Sequence, residues 1–128
     1  MTPLRRSETV MVVDDEPLIR KFATSSLRKV GYSVYDSPSG ELGFECFMEH
    51  SEEIELVLSD VTLPVMSGPE MADRILKERP MVKVMFMTAG HAVVPECTGK
   101  RFTVIPKPFT ATGLAAAVCE CFQNSSPE

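Results

Sequence analysis

The chain has 128 residues, of which 44% are hydrophobic and 24% charged, and it carries a net charge of −5. These values fit one soluble globular domain with its own core, expected over about 9–122, with 1–7 and 124–128 frayed and no output domain behind it. The acidic balance leaves no basic patch to neutralise phosphates, which argues against direct DNA binding, and no apolar run approaches the roughly 20 residues of a membrane span.

Residues 1–6 include basic side chains but lead into no apolar segment of the signal-peptide kind, so a cytoplasmic chain is expected. The cysteines agree. Cys46, Cys97, Cys119 and Cys121 lack zinc spacing, and Cys119 and Cys121 stand two apart on a predicted helix, where they cannot face one ligand. Reduced thiols are expected.

In chain order, Thr9-Val10-Met11-Val12-Val13 is a β-branched apolar run stopped by Asp14-Asp15-Glu16-Pro17. That reads as a buried strand entering an acidic turn, then a helix with Pro17 in its first turn. Leu18, Ile19, Phe22, Ala23, Leu27 and Val30 recur at helical spacing, with Arg20, Lys21, Arg28 and Lys29 on the other side. Gly31 ends the helix. Ser33-Val34-Tyr35-Asp36 is a second strand, and Ser37-Pro38-Ser39-Gly40 turns into a helix carrying Leu42, Gly43, Cys46, Phe47 and His50.

Leu56-Val57-Leu58-Ser59-Asp60 reads as a strand buried on both faces, delivering one carboxylate to the turn before Pro64. Taken alone, Asp60 is an ordinary turn aspartate. Ser67-Gly68-Pro69 opens a third helix whose stripe is Met71, Ala72, Ile75 and Leu76, and Pro80 stops it. A fourth strand covers 82–87 and leads to Thr88-Ala89-Gly90; a fifth covers 102–105 and leads to Pro106-Lys107-Pro108. A final helix carries Leu114, Ala115, Val118 and Phe122. Between Gly90 and Phe102, Pro95 and Gly99 oppose a helix, so one there is expected to be short, degraded or absent.

Strand and helix thus alternate about five times, the pattern of an α/β fold with an open parallel sheet and helices on both faces. In such sheets a ligand site forms beyond the carboxyl ends of the strands. Four of the five strands bring chemistry to that edge: Asp14 and Asp15, Asp60, Thr88, and Lys107. Three clustered carboxylates repel one another unless a cation sits among them, and an oxygen-ligand set with open positions suits Mg²⁺. Lys107 can pair with Asp60 or with an anion beside it, and Thr88 offers a hydroxyl next to the small Ala89. Such parts can stabilise phosphoryl transfer to a carboxylate.

Val12-Val13-Asp14-Asp15-Glu16-Pro17, the stretch Leu58-Ser59-Asp60-Val61-Thr62-Leu63-Pro64-Val65-Met66-Ser67-Gly68, then Met87-Thr88-Ala89 and Lys107-Pro108-Phe109 together resemble the motif set of response-regulator receiver domains. The wording is most similar to receivers of hybrid sensor histidine kinases or free-standing single-domain regulators. The resemblance implies a five-stranded flavodoxin-like sheet in the order 2-1-3-4-5. It implies a two-component phosphorelay switch in which Asp60 accepts a phosphoryl group from a histidine kinase or a histidine phosphotransfer protein. Mg²⁺, or Mn²⁺, would be held by Asp15, Asp60 and the Thr62 backbone carbonyl, with Asp14 acting through water. Thr88 would be the switch hydroxyl and Lys107 the partner of a phosphoryl oxygen. The chain would be no enzyme beyond self-phosphorylation from small donors and slow self-dephosphorylation, and it would signal by protein–protein contact.

The chain also departs from the family pattern. Val104 stands where the family commonly has an aromatic switch residue, with Phe102 two residues earlier on the same side of the strand, and Val65 replaces the usual glycine after the turn proline. Other chemistries fit less well. A phosphatase of the haloacid dehalogenase type wants an acid where Thr62 stands, and a flavodoxin-like cofactor binder wants a glycine- or hydroxyl-rich loop where the chain has Asp14-Asp15-Glu16. A docking module that is never phosphorylated is the remaining alternative. His91 reads as a loop histidine, His50 as a helix C-cap, and Met81, Met85 and Met87 as core filling.

Overall fold

The computed structural model describes residues 8–89 and 102–123. The element order is β1 (Thr9–Val13), α1 (Pro17–Lys29), β2 (Ser33–Ser37), α2 (Gly40–Glu49), β3 (Ile54–Asp60), α3 (Gly68–Glu78), β4 (Lys83–Ala89), β5 (Thr103–Lys107) and α4 (Ala111–Gln123). All strands are parallel, in the order β2-β1-β3-β4-β5. The open flavodoxin-like sheet expected from the sequence is therefore present. The degraded helix anticipated over 91–101 lies outside the described residues, as do Cys97, His91 and both chain ends.

Period-two alternation divides the core in two. Met11, Val13, Val57, Val84 and Phe86 face α2 and α3, where they meet Phe47, Met71, Ala72 and Ile75. Val10, Val12, Leu56, Leu58, Met85 and Met87 face α1 and α4, where they meet Ala23, Leu27, Leu114 and Val118. Each fully buried Leu, Met or Phe contributes about 1.5–3 kcal/mol of transfer free energy. With both faces covered, β1 and β3 are free to be almost wholly apolar until the polar residue at the end.

Local signals set the element boundaries. Ser39 Oγ accepts from Leu42 N at 3.1 Å, and Ser67 Oγ accepts from Glu70 N at 3.1 Å, so each hydroxyl caps a helix start. At the end of α1, Gly31 takes φ 105°, while Gly31 N donates to Arg28 O and Tyr32 N to Leu27 O. That is the Schellman arrangement, and it returns the chain to β2. His50 occupies the C-cap of α2, with its backbone N donating to Cys46 O and Phe47 O, and its ring stacks on Tyr35 at 4.1 Å. Cys46, Cys119 and Cys121 form no disulfide, and no helix among the described residues is long and apolar enough to cross a membrane.

Two packing expectations fail. Leu18 is 82% exposed and Phe22 43%, whereas Thr24 and Ser26 are buried. The hydroxyls solve their own burial problem: Thr24 Oγ1 donates to Lys21 O at 3.0 Å and Ser26 Oγ to Phe22 O at 2.7 Å. The buried stripe of α1 is therefore rotated away from the most apolar one. Met81, expected in the core with Met85 and Met87, is 82% exposed because it lies in the turn before β4.

Candidate functional site

The carboxyl ends of β1, β3, β4 and β5 meet at one edge. Parallel register sets Asp60 beside Met87, Thr88 beside Pro106 and Ala89 beside Lys107. The turn after β3 is drawn in by Val61 N donating to Met87 O at 3.1 Å and Gly68 N donating to Val61 O at 3.0 Å. A Cβ at position 68 would stand 2.1 Å from the Asp60 carbonyl oxygen, so only glycine lets α3 start this close to the end of β3.

Within this frame, one carboxylate oxygen from each of Asp14, Asp15 and Asp60 lies within 4.8 Å of the other two. Lys107 Nζ donates to Asp60 Oδ2 at 2.8 Å and is 3.0 Å from Asp14 Oδ2. Asp14 Oδ1 accepts from Glu16 N at 2.9 Å, and Asp60 Oδ1 accepts from Thr62 N at 3.1 Å. These bonds orient two carboxylates while leaving the exposed Asp15 to solvent.

Burial of the Asp14 carboxyl disfavours its charge and raises its pKa, against the opposing pull of the Glu16 amide and Lys107. For Lys107 burial alone would lower the pKa; its hydrogen bonds and charge interactions with Asp60 and Asp14 outweigh that, and the net shift is upward. One ammonium thus serves a group of three carboxylates. Asp14 Oδ2 is buried and its close partner is the same ammonium that Asp60 Oδ2 uses, so the negative charge of the cluster exceeds what Lys107 neutralises and a further cation would complete it. A hard divalent cation with oxygen ligands fits this donor set, and Asp14, Asp15 and Asp60 are the residues that would hold it.

The site opens into a cavity of about 730 Å³ lined by Asp15, Asp60, Thr62 and Lys107 on one side and by Leu18, Ile19, Phe22, Pro108 and Phe109 on the other. The apolar side is the part that residue patterning missed: Leu18 and Phe22 looked like core. The signal available was Pro108-Phe109, an aromatic two residues after the lysine, and Phe109 stacks on Phe22 at 6.1 Å between ring centres. Thr88 is buried at the same edge, placed there by strand register. Val104 is 41% exposed, and Phe102 packs edge-on against Phe86 at 5.4 Å.

The turn that follows Asp60 carries a backbone anomaly. Val65 has φ 66°, and Met66 N donates to Pro64 O at 2.8 Å across it, forming a γ-turn of the strained, positive-φ kind. Its side chain is 86% exposed.

Comparisons with known proteins converge on one family. The family model described as the response regulator receiver domain matches residues 10–119. The sensor kinase CckA of Brucella abortus (strain 2308) is 33% identical over 126 residues, covering 96% of this chain but 13% of the kinase. The response regulator receiver protein CpdR of the same organism is 33% identical over 103 residues, 78% of this chain and 84% of CpdR. The crystal structure of the receiver domain from the hybrid histidine kinase CckA superposes with a TM-score of 0.77 at 30% identity, covering 90% of this chain and 99% of that one. Several other curated relatives are matched over less than half of their length.

Proposed function

The chain belongs to the response regulator receiver domains of two-component systems, and on that premise we propose that Asp60 is its phosphoacceptor. Receiver domains are generally non-enzymatic switches that bind Mg²⁺ at an acidic pocket. The observation that carries the assignment to Asp60 is the Lys107 ammonium, 2.8 Å from Asp60 Oδ2 and 3.0 Å from Asp14 Oδ2, at the floor of an open cavity.

In the proposed reaction a carboxylate oxygen of Asp60 attacks phosphorus as the donor's N–P bond breaks, and the bonding pair returns to the imidazole nitrogen. Lys107 then exchanges a carboxylate partner for a phosphoryl oxygen, which keeps the ammonium charge paired throughout. Asp15, Asp60 and the Thr62 carbonyl, with Asp14 through water, would hold Mg²⁺, which would supply positive charge to the phosphoryl oxygens. The Thr88 hydroxyl donates to the phosphoryl group, and its movement converts the new charge into a loop rearrangement. Turnover is limited to accepting and slowly hydrolysing that group.

The donor is a histidine kinase or a histidine phosphotransfer protein in the cytoplasm, and output passes through protein–protein contact. A donor imidazole entering this cavity toward Asp60 would have Leu18, Phe22 and Phe109 available as an apolar wall. Intact-mass measurement after incubation with Mg²⁺ and acetyl phosphate is expected to show one added phosphoryl group on the wild type and none on Asp60→Asn. An unchanged wild-type mass with several small donors would refute the reading.

A further inference from the structure

Arg20 sits on α1 among residues that patterning assigns to the solvent side, yet its guanidinium is turned back over the acidic turn. Nη1 donates to the Asp14 carbonyl oxygen at 2.8 Å, and Nε is 3.4 Å from Asp36 Oδ2. A helical side chain leans toward the helix N-terminus, and Arg20 lies in the first turn of α1, its backbone N donating to Glu16 O at 3.0 Å. The reach is therefore natural. Asp36 pairs in register with Val12, and Asp14 N donates to Ser37 O at 3.2 Å, so one planar cation joins the end of β2, the exit of β1 and the start of α1.

We propose that Arg20 is the positioning residue of the acidic pair, holding the Asp14–Asp15 turn in the geometry that binds a divalent cation. This rests on reading Asp14, Asp15 and Asp60 as the Mg²⁺ site. Two physical effects oppose each other here, and they give the proposal its edge. As a charge, Arg20 repels an incoming cation, so removing it would tighten binding. As a clamp, it fixes the carbonyl between the two carboxylates, so removing it loosens their mutual placement and weakens binding. The carbonyl bond, and the second contact of the same guanidinium with Asp36, favour the clamp. Loss of a group that orients metal ligands from behind commonly weakens metal affinity by about 10–100-fold.

Calorimetric titration of the metal-free protein with Mg²⁺, and electron paramagnetic counting of free Mn²⁺, read the effect without any phosphoryl transfer. Arg20→Ala is expected to weaken both metals about tenfold, and Arg20→Lys to weaken them likewise, because an ammonium cannot serve the carbonyl and Asp36 in one plane. Asp36→Asn, which keeps the carbonyl bond, is expected to cost roughly twofold, the worth of a half-exposed ion pair. At saturating Mg²⁺ the acetyl phosphate labelling rate of Arg20→Ala should return close to wild type, placing the defect in metal affinity and not in the chemistry. Unchanged or tighter binding by a folded Arg20→Ala protein overturns the proposal, and so does wild-type affinity in Arg20→Lys. If the wild type binds Mg²⁺ in this Arg20-dependent way but accepts no phosphoryl group, the phosphoacceptor reading fails and the positioning role stands.

Discussion

Replacing Lys107 with Met keeps most of the side-chain volume and removes the ammonium that Asp60 and Asp14 share. Lys107 and Asp60 side chains are 10% exposed and Asp14 is 0% exposed, so little solvent screens the loss. Breaking a buried ion pair by deleting one partner costs about 3–5 kcal/mol; the adjoining open cavity admits water, so about 2–3 kcal/mol is expected here. In EDTA near neutral pH that corresponds to a melting temperature lower by roughly 8–12 °C for a domain of this size. Two conditions should restore the variant. Saturating Mg²⁺ supplies the missing positive charge and adds about 2.7 kcal/mol at one hundred times its Kd. Mild acid does the same by protonation: Asp14 has its pKa raised by burial, so as pH falls the folded state takes up its proton before the unfolded chain does, and the deficit shrinks as pH falls through the folded-state value. On the alkaline side, the Lys107 pKa is raised above its ordinary 10.5. Its contribution in the wild type is therefore fully present below that pH and lost as pH rises through the folded value, a phase the variant should lack. Urea unfolding of both proteins with EDTA or Mg²⁺ across this range checks the argument. An identical deficit in all conditions would mean that Lys107 acts through packing, and the electrostatic account would be wrong.

Two further perturbations probe the turn after β3. Val65→Gly removes a left-handed conformation that costs an L-residue about 1–2 kcal/mol and returns about 0.5–1 kcal/mol to chain entropy. Since the valine side chain is solvent-exposed, a net gain of about 0.5–1 kcal/mol should appear in thermal melts; a loss would show that Val65 is packed or unstrained. Gly68→Ala places a methyl against the Asp60 backbone oxygen, so it should cost about 2 kcal/mol or more in urea unfolding and weaken Mg²⁺ binding. A neutral result would mean that α3 can retreat from β3 freely.

The middle of the sheet was readable because β1, β3 and β4 are buried on both faces, which leaves them almost no freedom except apolar residues until the polar terminus. Asp14 and Asp60 were readable for the same reason: a charge at the end of such a strand can point only toward the common edge, and the parallel register of β5 on β4 brings Lys107 to that edge as well. The limits appear on α1. Thr24 and Ser26 look like solvent residues, but their hydroxyls bond to carbonyls one turn back and so enter the core. Leu18 and Phe22 look like core, but both line the cavity, and Phe22 stacks on Phe109, which follows a strand nearly ninety residues away in sequence. Arg20 has the composition of a surface arginine, and only the tertiary approach of Asp36 and the Asp14 carbonyl gives it a task.

The stack of Phe22 on Phe109 has a mechanical consequence. Phe109 follows Lys107 by two residues, and Phe22 follows Arg20 by two residues on α1. One rigid helix therefore grips both poles of the site, the acidic turn through a guanidinium and the lysine loop through a ring. A body that leans on the outer face of α1 transmits its load to the negative and positive sides together, so contact and chemistry share a single lever.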